Sequence, residues 1–472
     1  MSFEWKESIF PTKSDKTSMF EEEENQNSTQ NIEEKKKFDC ISFLQNECIP
    51  LIKQNQIHKI FEIENIIKQY DTSELICVLN SQLTKFVFDE ISNINSDRSK
   101  EFINSCLNIC IWITSIRDSK YDFIIKRYQE LITPNFIQSI KKILISKENL
   151  IQSLLIVSNT FYQNKEIYDE YNSDDLNIIK ILTTFSNIED ERIKSVCSLI
   201  LKRILRCNFE SNQFLLPLFD DLISTSKKFF MSNSIFSHIK TFQMLSKLIR
   251  HYSSDLKLQI NSNFNQFIID TIVHFTSSDN IIIFGNVLHL ILSIIEVNQK
   301  GNMDYITSLF TSFQNSLWQV IKIGLSSTAT FIQSASSEIF SFFITYPSPL
   351  TLQMLANSDL IPFSFNLVGN SSFEGKEIMR KAVFYLFLRN DVNFVTLLEN
   401  GGMQFLCDNL QSWPSEIIPI YNCLLCRYPQ IVREMLGQII DDLDEIIFSN
   451  NEINEDLQIS AQALKEDILR EE

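Results

Sequence analysis

The sequence predicts an all-α fold in which similar helical units stack into a solenoid, and three observations point there. The first is glycine: the chain has 8 glycines and 10 prolines in 472 residues, where average usage would supply several times more glycine. Hairpins and bulges of β-rich folds need glycine, and parallel α/β folds need it at strand–helix corners. The second is that apolar residues recur with helical period. The third is that this helical pattern itself repeats along the chain at a nearly constant interval.

Residues 1–39 are polar and charge-blocked, with Glu21 to Glu24 followed by Lys35 to Lys37, and with Pro11 and an Asn/Gln/Ser stretch from Asn25 to Asn31. Such a segment cannot bury enough apolar area to offset its ordering entropy, so it is expected to be a disordered acidic arm. The helical pattern then takes over. Phe136, Ile137, Ile140 and Leu144 lie on one stripe, as do Ile193, Val196, Ile200 and Ile204, and Met403, Leu406 and Leu410. Short polar pairs at Ser173-Asp174, Ser278-Asp279 and Asn390-Asp391 break the pattern and supply side chains that cap the next helix.

Strongly apolar helical segments begin near Cys106, Gln152, Val196, Lys240, Val287, Ser337, Ala382 and Ile420, at spacings of 46, 44, 44, 47, 50, 45 and 38 residues. A second series, near Phe136, Asn177, Leu216, Gln266, Leu317, Leu360 and Gly402, interleaves with it. Units of this length with two or three helices are those of armadillo and HEAT arrays. The segment Leu397-Leu398-Glu399-Asn400-Gly401-Gly402-Met403-Gln404-Phe405-Leu406 resembles the armadillo junction, where a short helix ends, glycine turns the chain and the next helix begins. One period earlier, Leu355-Ala356-Asn357-Ser358-Asp359-Leu360-Ile361-Pro362 is similar. The resemblance implies a right-handed superhelical solenoid of about eight or nine units, spanning 40–433. An acidic capping repeat is expected over 434–472, with helices at Glu434–Ser449 and Glu455–Arg470.

The formal net charge of −17 is concentrated at the ends, −4 over residues 1–39 and −9 over 441–472, which leaves the body near neutral. No general basic surface is available for phosphate backbones, so nucleic acid is not expected as a partner. The first twenty residues lack a signal-peptide core, and ten dispersed cysteines read as free thiols, which places the chain in the cytoplasm, the nucleus or both. The longest nearly apolar run, Ile281 to Ile295, would reach about 22 Å as a helix, short of the roughly 30 Å of a hydrocarbon core. No membrane association is expected.

Candidate chemistry is sparse. Cys423 and Cys426 have a metal or redox spacing, but only Cys407 is near them in sequence and the last histidine is His289, so they read as buried structural thiols. Cys106 and Cys110 share a face beside Trp112 and read as an apolar seam. His58, His238, His251, His274 and His289 belong to no His-Glu-x-x-His pair, and no glycine-rich phosphate loop is present. The chain is expected to have no catalytic or metal site, no cofactor and no small-molecule substrate.

What remains is a binding surface. In armadillo arrays the last helix of each unit lines the concave side, and its polar face here carries Lys194, Ser198, Lys202 and Arg206; then Lys240, Lys247 and Arg250; then Lys381, Tyr385 and Arg389. The helices between offer Asn286, His289 and Ser293, then Ser337, Ser341 and Thr345. Such a groove, with positive ends and a neutral middle, suits an extended acidic or phosphorylated segment of another protein. Within the superfamily the chain is similar to nuclear-import adaptors in length, repeat number and a charged N-terminal arm. Those adaptors carry tryptophan followed four residues later by asparagine; here Asn159 is preceded by Leu155 and Trp112 is followed by Ile116. The expected function is a non-catalytic protein-binding scaffold or adaptor. The alternative is a regulatory subunit that docks a phosphatase, kinase, GTPase or chaperone ATPase.

Overall fold

The computed structural model of the chain describes residues 50, 59–69, 82–94, 98–115, 126, 128–163, 167–171, 177–205, 219–252, 262–276, 278–298, 316–345, 359–370, 375–389, 394–448 and 455–470. Residues 1–39, Ser173-Asp174, Leu355 to Ser358, Asn390-Asp391, the Ser449 to Asn451 turn and Arg206 lie outside the described residues. The chain divides into two units, Met1–Ser81 and Gln82–Glu472. In the first, the described structure is essentially helix α1 (Lys59–Gln69).

Helices, joined by short turns, make up the regular structure of the second unit among its described residues. It opens with α2 (Gln82–Ser92), α3 (Lys100–Thr114), α4 (Pro134–Ser146), α5 (Leu150–Gln163), α6 (Ile167–Tyr171), α7 (Ile178–Phe185) and α8 (Glu191–Ile204). It continues with α9 (Phe219–Phe230), α10 (Ile235–Tyr252), α11 (Ser262–Thr276), α12 (Ile281–Asn298), α13 (Ser316–Leu325) and α14 (Thr330–Thr345). The last third holds α15 (Leu360–Asn370), α16 (Lys376–Leu388), α17 (Phe394–Glu399), α18 (Gly402–Asn409), α19 (Pro414–Arg427), α20 (Pro429–Leu436), α21 (Ile440–Ile447) and α22 (Glu455–Leu469).

Polar residues start these helices as local physics requires. The first N–H groups of a helix have no partner inside it, and an oxygen just upstream supplies one. Thr133 accepts from Phe136 N–H ahead of Pro134, Asn177 from Ile179, Asp190 from Arg192, and Asn280 from both Ile282 and Ile283. Glycine appears where the backbone turns left-handed: Gly401 has φ 81° and leads α17 into α18, and Gly375 has φ 86° ahead of α16. The expected glycine corner is therefore present at Gly401. The helix expected over 434–449 is instead interrupted: α20 ends at Leu436, Gly437–Ile439 forms a 3-10 turn, and α21 begins at Ile440. Gly437 is a weak helix former at the break.

Two rows of helices make the array. In the longer-helix row, α3, α5, α8, α10, α12, α14, α16, α19 and α22 pack each on the next. The other row supplies the partners, with α2 on α3, α4 on α5, α7 on α8, α9 on α10, α11 on α12, α13 on α14, α15 on α16 and α21 on α22. The core lies between the rows. A helix of the longer row is covered by its partner and by two row neighbours, which is why α12 reads as a nearly continuous apolar run, with Val287, Leu288, Leu290, Ile291, Ile294 and Ile295 all buried. The short helices α6, α17 and α20 precede the two main helices of their units and give those units three helices.

Polar side chains also stitch the longer row together. Asn159 on α5 donates to the Ile111 carbonyl of α3, Arg203 on α8 to Ser158 of α5, and Arg389, just past α16, to Ile344 of α14. Arg427 on α19 reaches the Leu388 and Arg389 carbonyls. Ile344 and Leu388 stand in the last turn of their helices, where carbonyls lack an internal partner and carry the negative end of the dipole, so a guanidinium from the next helix satisfies both needs; Ser158 lies inside α5.

Candidate functional site

In the longer row α5 is buried from Ser153 to Phe161 and α8 from Val196 to Ile204, whereas α10, α12, α14 and α16 each keep one stripe toward solvent. On α10 that stripe holds Phe236, Gln243, Lys247 and Arg250, all partly exposed; on α12 it holds Asn286, His289 and Glu296; on α14, Ser334, Glu338, Ser341 and Thr345; on α16, Lys381, Tyr385 and Leu388. Side chains bridge neighbouring stripes, as where Gln152 Nε2 donates to Asn104 Oδ1 at 3.0 Å. From α10 to α16 the stripes form a surface that continues from helix to helix.

The structure corrects several of the sequence-expected groove residues. Asn159 is buried and donates to the Ile111 carbonyl and to Thr114 Oγ1 at 3.3 Å, so it serves the α3–α5 seam. Arg389 is buried on Ile344. Ser198 is fully buried with its hydroxyl on the Ser195 carbonyl, and Lys202 is 4% exposed. Lys240 is 5% exposed, with its ammonium 5.0 Å from the centre of the Phe236 ring. Ser293 and Ser337 are buried and bonded to His289 and Gln333 carbonyls one turn earlier. The cause is common to all of them: the neighbouring row helices cover more of each helix than a single free face would show, and long cations and small hydroxyls are drawn into the seams.

Lys194 is half-buried and 3.5 Å from Glu191. Lys381 and Tyr385 are exposed, with Lys381 3.2 Å from Glu377. Lys247 and Arg250 remain on the free stripe, and here the structure brings together residues that lie far apart in sequence. Arg250 points its Nε and Nη2 at one oxygen of Glu296 on α12, at 3.0 and 2.9 Å. His289 lies within the field of the same groups. Desolvation holds its imidazole below the ordinary value, the charges of Arg250 and Lys247 push the same way, and Glu296 opposes them. Glu296 was missed from sequence, although it stands two turns after His289 on the same helical face. On α14, partial burial raises the Glu338 carboxyl above the usual range. The middle of the surface is therefore mixed in charge where a neutral stretch was expected.

Among the described residues no group of three or more His, Cys, Asp or Glu side chains is placed to hold a metal ion. Cys106, Cys110 and Cys197 are buried, and burial pushes the Cys110 thiol well up. Cys423 is half-buried and Cys426 exposed, against the expectation that both are buried; Leu424 and Leu425 between them take the core side of α19. No helix among the described residues is long and apolar enough to cross a membrane.

No family model matches the chain, and no curated protein matches it. Solved structures do. The crystal structure of an engineered protein aligns over 91% of this chain and 97% of its own, with a TM-score of 0.63 at 13% identity. A structure from work on a phosphorylation switch controlling the interaction between cadherin and beta-catenin aligns over 86% and 82%, with a TM-score of 0.51 at 10% identity. The chain has an armadillo-like helical-repeat fold. A designed armadillo repeat protein also aligns, over 54% of this chain and 96% of its own, with a TM-score of 0.41 at 14% identity.

Proposed function

We propose that this protein is a non-catalytic scaffold of the cytoplasm or nucleus that holds an extended, acidic or phosphorylated segment of another protein along the free stripes of its longer-helix row. The observation that carries this reading is the continuity of that surface, whose stripes follow one another from α10 through α12 and α14 to α16. A solenoid core only holds units together, so the long exposed face is what such an architecture offers a partner. The cations Lys247, Arg250 and Lys381 on this face favour a negatively charged segment. The interaction of beta-catenin with cadherin under phosphorylation control illustrates what a protein of related fold can do.

An import-adaptor role would call for an asparagine available on this face to hold a basic peptide. Asn159 is instead committed to Ile111 and Thr114. That commitment, and the cations on α10 and α16, favour an acidic segment over a basic one. The regulatory-subunit alternative differs in the partner, not in the surface used.

Affinity purification of the full chain, beside a Lys247→Glu, Arg250→Glu variant, tests the reading. A partner retained by the wild type and lost by the variant, with unchanged melting of the variant, is the expected result. Stoichiometric recovery of one enzyme would select the regulatory form. Identical partners from both chains would overturn the use of this surface.

A further inference from the structure

We propose that the end of the α16 stripe and the short helices α17 and α20 form an anchor site for the bound segment. A leucine or phenylalanine of that segment docks on Tyr385, Leu388, Val395 and Ile431, and a carboxylate beside it meets Arg427. The proposal rests on the scaffold reading above and adds the feature that fixes the segment in place.

The site starts from large apolar side chains left in water. Tyr385 and Leu388 stand three residues apart on α16 and so share a face. With Val395 on α17 and Ile431 on α20 they are between 38% and 50% exposed. A single exposed apolar residue is ordinary; a group of them edged by polar residues marks an interaction surface. The four come from three helices, and close contacts draw the ends of those helices together. Arg427, the last residue of α19, donates from Nη2 to the Leu388 carbonyl at 2.8 Å and from Nη1 to the Arg389 carbonyl at 3.2 Å. The next residue, Tyr428, stacks on Phe394 with ring centres 4.6 Å apart, and Phe394 opens α17 beside Val395. The Tyr428 carbonyl accepts from Val432 N–H at 3.0 Å and so begins α20, whose first turn carries Ile431. Arg427 and Tyr428 are thus the hub on which all three helix ends meet.

Charge and position name the occupant. Arg427 uses two guanidinium nitrogens on carbonyls, and among the described residues no carboxylate pairs with it. Its charge is left for an incoming group. Lys381 stands four residues before Tyr385 on the same stripe, 72% exposed and held only by the exposed Glu377. Such a pair is weak and easily exchanged. Both cations attract an acidic segment and repel a basic one. A segment that follows Lys381, Tyr385 and Leu388 along α16 arrives at the apolar group without leaving the stripe. Exposed cations alone give it little affinity, whereas a buried apolar anchor beside a tyrosine and an arginine has the make-up of an interface centre. A second copy of this chain fits less well. An isologous contact would set the patch against itself and bring the two Arg427 side chains face to face.

The test selects a random library of displayed peptides against the full chain and measures synthetic versions of the enriched peptides by fluorescence anisotropy. The enriched peptides should share a leucine or phenylalanine next to aspartate or glutamate. Replacing that apolar residue by serine should weaken binding at least about tenfold, and replacing the neighbouring carboxylate by its amide about fivefold. The Leu388→Ser, Ile431→Ser chain should lose at least about tenfold with melting unchanged. The substitutions made in the peptide keep the test decisive even if that variant melts early. No enrichment, enriched peptides that are basic or lack an apolar residue, or equal binding by the variant and the wild type would overturn the proposal. Light scattering that shows a wild-type dimer and a monomeric variant would assign the patch to a second copy and overturn it as well. Failure of the anchor is distinguishable from failure of the scaffold. Peptides lost by the Lys247→Glu, Arg250→Glu chain but held as tightly by the Leu388→Ser, Ile431→Ser chain as by the wild type refute the anchor and leave the scaffold standing.

Discussion

Arg203 and Arg389 show what single residues do in this molecule. Both are charged, both are buried, and both are spent on carbonyls of the preceding row helix. Hydrogen bonds from a charged donor are worth about 1.5–3 kcal/mol each. Arg203→Ala should lower the unfolding free energy by about that amount or somewhat more, since the Ser158 carbonyl and hydroxyl would be left buried; urea unfolding followed by circular dichroism measures it. A loss below about 0.5 kcal/mol would mean the arginine is idle. His238 provides a pH-dependent prediction. Desolvation beneath Phe230 and Phe275 depresses its folded-state pKa, while the Ser232 and Phe230 carbonyls and the Glu191 charge work against that and the His274 charge adds to it. The unfolded chain therefore takes up the proton first as pH falls. Stability from this group is full above the ordinary imidazole pKa of about 6.5 and is lost as the pH drops through and below it. The melting temperature should fall between pH 7.5 and 5.5, and His238→Gln should reduce the slope without removing it, because His289 is depressed in the same sense.

Helices and corners were the most legible level in the sequence, since apolar period and polar caps are local properties. Ile193, Val196, Ile200 and Ile204 fall on one helical stripe in the sequence and are all buried in α8. Ile200→Ala should cost about 2–5 kcal/mol in the same unfolding experiment. What the pattern could not show is how much of α8 its neighbours cover: Ser198 and Lys202 look like a solvent face in sequence and are buried by α5 and α10. A polar residue in a seam and a polar residue in water have the same period, and only the neighbouring helix separates them. Charge reversal at Lys202 consequently belongs among the destabilising substitutions and not among the binding probes. The glycine corners divide in a similar way. Gly401 and Gly375 are both left-handed, but a Cβ at Gly401 meets nothing within 4 Å, whereas one at Gly375 meets Ser337 Oγ at 2.6 Å and Ser334 Cα at 3.3 Å. Gly401→Ala should cost about 1–2 kcal/mol from backbone strain alone, and Gly375→Ala distinctly more. Equal costs would place the strain in the backbone only.

Over the whole second unit, each helix of the longer row finds its neighbours one unit before and one unit after, so structural information travels by nearest neighbours. The period that announced this was visible because every unit must present the same apolar faces to the next. The ion pair of Arg250 and Glu296 was not, because its two halves stand 46 residues apart and meet only through the stack. Native-state hydrogen exchange on the full chain carrying Ile200→Ala tests the stacking most directly. Nearest-neighbour stacking predicts lost amide protection confined to α8 and the helices packed on it, α5, α7, α9 and α10, with α16 and α19 protected as in the wild type. Protection falling uniformly from α3 to α22 would show one globally cooperative core and contradict the stacked array.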